Sequence, residues 1–146
     1  VIFRLGEFYL NYAEAVFKYL GSADATNADF EMSAREAVNV IRKRSDVNMP
    51  EFPADISNTE FWTKYKRERM VELAFEQHRF WDVRRWKEGE VLKSIDRMHI
   101  TKNSDDSFTY TRVTQNRVWD DKMYLFPIPQ SERLKNRNLA QNPGWE

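Results

Sequence analysis

The chain contains no cysteine, and only four glycines and five prolines occur among its 146 residues. Without cysteine, the protein can form neither disulfides nor thiolate metal sites. The glycines are scattered, so no glycine-rich phosphate loop is present. No run of about 18 apolar residues occurs either. The sequence therefore predicts no segment that spans a bilayer.

A net charge of either sign is also missing, because 23 basic residues balance 23 acidic ones. This balance argues against nucleic acid or an acidic membrane surface as the main partner. The two histidines, His78 and His99, are too far apart for a local metal motif, and Asp105-Asp106 is a weak cation candidate. We therefore predict no metal site and no cofactor. Nucleophilic catalysis is not indicated either, since no Gly-x-Ser-x-Gly motif is present.

Aromatic residues, by contrast, make up 14% of the chain, and several follow a helical period. A first helix, ending at Gly21, is predicted from the spacing of Leu5, Phe8, Tyr9, Tyr12, Val16, Tyr19 and Leu20. A second is predicted from Phe30, Ala34, Ala37, Val38 and Ile41. Together they indicate an antiparallel, tetratricopeptide-like helix pair over residues 1–44. Such pairs stack on neighbouring repeats, so we expect further helices upstream of Val1.

The rest of the chain divides into two further segments. Residues 59–88 predict a long helix from about Glu60 to Gln77, capped by Asn58 or Thr59, and a helical continuation that ends at Gly89. Residues 95–146 predict a β-hairpin, an extended apolar strap and a tail docked by Trp145. The hairpin strands are expected around 98–101 and 108–111, and the strap at 124–129. The predicted fold class is therefore mainly α, with one small hairpin.

The long helix carries two different faces. One is a broad apolar arc of Met70, Val71, Leu73, Ala74 and Phe75. The other carries Glu68, Glu72 and Glu76 at i,i+4 spacing, where like charges repel and need cations. The candidate cations are Arg42, Arg44, Arg69, Arg79, Arg84 and Arg85. Arginines are abundant nearby, which favours ion pairs over a glycosidase-like acid pair, and over nucleic-acid stacking by arginines with Trp81 and Trp86. We predict a structural ion-pair cluster of Glu68, Glu72, Glu76, Arg79, Asp82, Arg84 and Arg85. In it, the three arginines clamp Glu72, Glu76 and Asp82.

Residues 68–86 resemble the C-terminal part of the SusD/RagB family, whose recurrent pattern is E-R-x-x-E-L-x-F-E-G-x-R-F-x-D-x-R-R-W. Further agreement runs from Arg4 and the Tyr12-Ala-Glu-Ala15 segment to Tyr124–Pro129 and the terminal Gln141-Asn-Pro-Gly-Trp145. The chain departs from the family at turns, most notably at Gln77, where glycine is usual; Ser45-Asp46 and Arg137 also differ. The resemblance therefore extends from one end of the chain to the other.

The resemblance implies a non-catalytic role. SusD/RagB-like proteins are surface lipoproteins of the outer membrane that capture glycans or oligosaccharides and pass them to a SusC-like, TonB-dependent transporter. By resemblance, the lipid anchor is at an N-terminus that we expect to lie upstream of Val1. The chain is thus expected to be a segment of such a protein, with the remainder of its own chain as a packing partner. Alternatives are a peptide-binding RagB-like member, a helical protein-interaction scaffold without a small ligand, and, more distantly, a glycan hydrolase.

Three aromatic residues are candidates for contact with a glycan, because flat rings stack on sugar faces. They are Trp62, Tyr110 and Trp119. Trp119 is the first choice, since it follows a polar run from Thr114 to Arg117 and precedes Asp120-Asp121, which can accept hydrogen bonds from hydroxyls. Packing is the alternative for each ring. By resemblance, the glycan-contacting loops of the family lie largely upstream of this segment.

Overall fold

The computed structural model describes residues 3–146 and divides the chain into two compact units, residues 3–79 and 80–146. Their regular elements are five helices and one hairpin: α1 (Leu5–Leu20), α2 (Ala34–Arg42), α3 (Asn58–Glu72), α4 (His78–Arg85), β1 (Ser94–Lys102), β2 (Phe108–Asn116) and α5 (Gln130–Lys135). Single 3₁₀ turns occur at Gly89–Leu92 and Asp121–Tyr124. The predicted fold class, mainly α with a small hairpin, is confirmed.

The helix pair α1 and α2 has the ends that its sequence signals favour. Gly21 stops α1 in the left-handed conformation at φ 74°, and its N–H donates to the Phe17 carbonyl. Ser33 begins α2 through a capping box with Glu36. The buried apolar residues of the pair are small or aliphatic: Leu10, Ala13 and Val16 of α1, and Ala34, Ala37, Val38 and Ile41 of α2. Small side chains let the two helices approach closely.

The third helix starts at a different cap from the one predicted. Ser57 is the N-cap, and its hydroxyl accepts the Glu60 N–H at 3.2 Å. Asn58 instead points back to the end of α1, where its amide donates to the Gly21 carbonyl at 2.7 Å and accepts the Ala23 N–H at 3.1 Å. The Asn58 side chain is therefore used in hydrogen bonds to the backbone of Gly21 and Ala23, and it does not cap α3.

The same helix is shorter than predicted, and its buried face is not the apolar arc. It ends at Glu72, and the chain reverses through Phe75 and Gln77, which lie at positive φ values of 65° and 68°. Its buried stripe is Phe61, Tyr65 and Arg69, at i,i+4 spacing. The predicted apolar arc is exposed except for Leu73. The reason is that the rings of Phe61 and Tyr65 are fully buried in the core of this unit. The side of the helix that carries them therefore faces inward.

The hairpin of the second unit is longer than predicted, with nine residues in each strand. The register pairs Ile100 with Tyr110 and Met98 with Arg112. Every residue of both strands is exposed except Val113, which is half-buried. The ribbon therefore presents both of its faces within this unit. Its even-numbered face carries the apolar side chains near the loop, namely Met98, Ile100, Phe108 and Tyr110.

The strap is held by side chains of the tail. Gln141 accepts the Ile128 N–H at 2.7 Å and donates to the Ile128 carbonyl at 3.0 Å, as a neighbouring strand would. The Trp145 indole N–H donates to the Lys122 carbonyl at 2.9 Å, which confirms that this residue docks the tail. The six-residue helix α5 follows Pro129. It was not predicted, because so short a segment shows no clear period.

Candidate functional site

The acidic side of α3 is neutralised by arginines from outside that helix. Arg4 donates from Nη1 to Glu72 Oε1 at 2.6 Å, and Arg44 donates to the same oxygen at 2.8 Å. Arg4 Nε also lies 2.9 Å from both oxygens of Glu76. Glu68 pairs with Arg42. Each of the three predicted carboxylates thus has a guanidinium partner, as the repulsion between them requires.

The electrostatics of this network favour its charged form. The hydrogen bond from Arg4 lowers the pKa of Glu76, and burial opposes that shift only in part. The bond to Glu76 is in turn the largest cause that raises the pKa of Arg4 above its already high ordinary value. A general acid of a glycosidase needs a raised carboxyl pKa. The shift of Glu76 is in the opposite direction and gives no support to the acid-pair alternative.

Arg4 is the residue of this network that sequence reasoning missed. It lies 68 residues from Glu72, and no local pattern connects the two. A weak signal is Gly6, because a Cβ at that position would come within 2.7 Å of Arg4 Nη1 and 2.8 Å of Glu72 Oε1. A glycine close to a charged residue at a helix start can thus mark a crowded ion pair.

The predicted partners on α4 need correction. Asp82 is buried and pairs with Arg85 at 2.8 Å, within the same helix. Arg84 was expected to clamp a carboxylate, but its guanidinium carbon lies 3.6 Å from the centre of the Phe80 ring and its Nη1 donates to the Phe80 carbonyl. No carboxylate partner of Arg79 or Arg84 is described among residues 3–146. Aromatic faces attract guanidinium groups, and α4 places Phe80 one turn before Arg84.

Trp119, the first choice for glycan contact, is buried within the second unit and cannot stack on a sugar. Its side chain is only 9% exposed, and its ring packs edge-on against Tyr124 at a centroid distance of 5.1 Å. The indole also lies directly over Gly89, where a Cβ would overlap it. Gly89 was predicted to terminate a helix, but α4 already ends at Arg85. The glycine is required for the close approach of the Trp119 ring.

The other two candidates differ in exposure. Trp62 is half-buried and stacks near-parallel with Phe17 and Tyr65, at centroid distances of 5.7 and 5.2 Å. The Lys18 ammonium lies 3.9 Å from the Trp62 ring centre. Tyr110 is 63% exposed, in the middle of β2. It is the more accessible of these two rings.

Polar groups accompany Tyr110 on the same face of the ribbon. Asp96 and Arg112 form an ion pair there, and the Thr114 hydroxyl donates to Asp96 at 2.7 Å. The hydrogen bond from Thr114, followed by that from Arg112, lowers the pKa of Asp96. This face therefore combines an exposed ring with charged donors and acceptors at neutral pH.

Among residues 3–146, no group of three or more histidine, aspartate or glutamate side chains is arranged to hold a metal ion. Within the same range, no helix has both the length and the apolar character needed to cross a membrane.

Comparison with known proteins shows the family to which this chain belongs. The sequence profile of the SusD family matches residues 1–145. The chain is also similar to the crystal structure of a SusD-like protein from Bacteroides fragilis NCTC 9343, with 34% sequence identity and a TM-score of 0.77. The match covers 99% of this chain and 25% of that one, so the chain spans a quarter of the length of its structural relative. No curated protein matches significantly.

Proposed function

Because this chain belongs to the SusD family, we propose that it is part of a non-catalytic protein that binds glycans or oligosaccharides for nutrient uptake. The observation that carries the proposal is the family match over nearly the whole chain. The arginine-paired carboxylates of α3 are consistent with it, since they are used in structural ion pairs. Reversible binding needs no acid, base or nucleophile.

The proposal includes a location and a partner. The complete protein is anchored by lipid at the outer-membrane surface and hands its ligand to a SusC-like, TonB-dependent transporter. Purification from outer membranes in mild detergent tests this part. A tagged complete protein is expected to retain the transporter, whereas its recovery alone from the soluble fraction would contradict the proposal.

Within this chain, the Tyr110 face of the ribbon is the surface that we propose for glycan contact. An exposed ring can stack on a sugar, and the Asp96–Arg112 pair offers acceptors and donors to hydroxyls. Trp62 is the second choice because neighbouring rings and Lys18 already contact it. We no longer propose that Trp119 contacts a sugar, because its ring is buried.

The test is the Tyr110→Ala variant of the complete protein, titrated by calorimetry with the oligosaccharide that binds best on a glycan array. Loss of one stacked ring removes about 1–3 kcal/mol in the analogous case of nucleic-acid bases. This corresponds to a roughly tenfold to hundredfold weaker affinity. Tyr19→Ala is the matched control, since Tyr19 is exposed but lies on α1. Equal affinities of both variants and the wild type would place the glycan site elsewhere.

A peptide is the second candidate ligand, and the hairpin favours it specifically. Two exposed nine-residue strands leave unpaired backbone groups along both edges of the ribbon. An extended peptide can add a strand to such an edge. Titration with a mixture of short peptides alongside the glycan array separates the two ligands. Binding of peptides alone would favour the RagB-like alternative.

A further inference from the structure

A pocket of the first unit is lined by α3 and by the loop that follows α2. Its volume is about 570 Å³, which is within the range of roughly 300–1,000 Å³ in which proteins hold small molecules. The apolar part of the lining comes from Val47, Met49, Pro50 and Phe52 of the loop and from Val71 of α3. Val71 is one of the residues of the apolar arc that the core of this unit does not cover.

Hydrogen bonds hold the loop side of this pocket in place. The Asn39 amide accepts the Phe52 N–H at 2.8 Å and donates to the Phe52 carbonyl at 3.3 Å. Arg42 Nε donates to the Pro50 carbonyl at 2.6 Å, and the Met49 N–H donates to the Arg42 carbonyl at 2.9 Å. The Phe52 side chain is buried. The pocket is therefore formed before a ligand enters, which lowers the ordering cost of binding.

Charged side chains also line the pocket, and most of them are already paired. Each of the three carboxylates in the lining has a cation partner: Glu51 with Lys43, Glu68 with Arg42, and Glu72 with Arg44. Lys64 pairs with Glu60 on the same helix. Arg67 also lines the pocket and is exposed, but the structure describes no ion pair or hydrogen bond of its guanidinium within residues 3–146. Arg67 is therefore the charged donor that a ligand can reach.

We propose that this pocket binds a small organic carboxylate. Its apolar body contacts Phe52 and Val71, and its carboxylate pairs with Arg67. A guanidinium donates two parallel hydrogen bonds to a carboxylate, an arrangement that favours this group over neutral polar groups. A cationic ligand would instead meet Arg67 as a like charge, while the carboxylates of the lining are held by their own partners. An apolar lining with an unpaired cation therefore selects an anionic, partly apolar molecule.

The size of the pocket suits a small molecule better than a protein surface. Eleven residues line it, whereas a stable protein–protein interface takes about 20–30 residues from each partner. All of these lining residues belong to the first unit, and Tyr110 belongs to the second. The inference therefore does not depend on the proposed glycan contact, and it holds even if the protein binds no glycan.

The first test follows the Met49 side chain by NMR in the complete protein. Methionine methyl groups are labelled with ¹³C, and the Met49 signal is assigned by its loss in the Met49→Leu variant. Octanoate is expected to shift this signal saturably, with a Kd at least about fivefold lower than those of octanamide and octylammonium, which share its chain length. The Met98 signal from the exposed ribbon is the control and should not move. Equal affinities for the three compounds, or no shift of the Met49 signal, would overturn the proposal.

Two variants separate the charged and the apolar part of the site, and both replace exposed residues, so the fold should be retained. Arg67→Gln is expected to weaken octanoate binding about fivefold and to leave octanamide binding unchanged, because only the carboxylate uses the guanidinium. Arg97→Gln on β1 is the matched control, since Arg97 is exposed and does not line the pocket. Val71→Ser should weaken binding of both compounds alike, because apolar contact is lost. Unchanged octanoate binding in either pocket variant would overturn the proposal.

Discussion

At the scale of single residues, the network around Arg4 is the best-defined feature of the first unit. One guanidinium serves both Glu72 and Glu76, and Arg44 adds a second cation to Glu72. The Glu72 side chain is only 11% exposed. At this depth, removal of the Glu72 carboxylate leaves Arg4 with Glu76 alone and Arg44 with only Asp46 at 3.6 Å, which costs more than a surface ion pair contributes.

We therefore expect Glu72→Gln to lower the free energy of unfolding by on the order of 3 kcal/mol, since Arg4 and Arg44 then lose their shared carboxylate. Urea melts of the complete protein measure the effect. Glu132→Gln is the matched control, because its pair with Lys135 is exposed and should change stability by less than about 0.5 kcal/mol. A loss no larger than that of the control would show that the network is energetically neutral.

Protonation of Glu76 is expected to make the stability of the folded protein depend on pH. Its pKa is lowered in the folded state by the hydrogen bond from Arg4. Its contribution to stability is therefore present above the unfolded pKa of about 4.3 and is lost as the pH falls through the lower folded value. Glu76→Gln should flatten the stability difference between pH 6 and pH 3 relative to wild type. Parallel stability curves of the two proteins would show that the pair does not form in solution.

At the scale of elements, the turn between α3 and α4 contains two residues with positive φ. Phe75 and Gln77 are both left-handed, and neither is the glycine that this conformation favours. The SusD/RagB pattern has glycine at the position of Gln77. Gln77 therefore adopts a backbone conformation that is strained for a residue with a Cβ.

Gln77→Gly is expected to stabilise the protein by up to about 1 kcal/mol, because relief of the left-handed strain exceeds the entropy cost of glycine. Thermal unfolding of the complete protein measures this change in stability. Gln115→Gly in β2, where φ is not positive, is the control and should destabilise. A lower melting temperature for Gln77→Gly would mean that the turn holds its shape through the glutamine side chain.

At the scale of the whole molecule, this chain exposes much apolar surface for its size. Exposed rings include Phe8, Phe75, Phe80, Trp81 and Phe126. Tetratricopeptide-like pairs bury such faces by stacking on neighbours. The chain also spans only a quarter of its structural relative.

We accordingly expect the 146-residue chain expressed alone to be less stable than the complete protein and to self-associate. Denaturant melts of the two proteins, with sedimentation at several concentrations, test this. The isolated chain should unfold at a lower midpoint and with a broader transition. A cooperative, monomeric and equally stable chain would show that its exposed faces need no cover.

The sequence by itself determined the family and the ends of the first helix pair, whereas α3 ends earlier and the hairpin extends further than the local pattern predicted. Gly21 ends α1, the Ser33 capping box starts α2, and the alternation around 98–101 and 108–111 indicates the hairpin, because caps, turns and periods act over a few residues. Only the tertiary structure decided which groups meet. Arg4 reached Glu72 across 68 residues, and Trp119 packed on Gly89 instead of remaining exposed. Such partners are selected by packing and charge over long separations, for which the local pattern of a single sequence carries no signal.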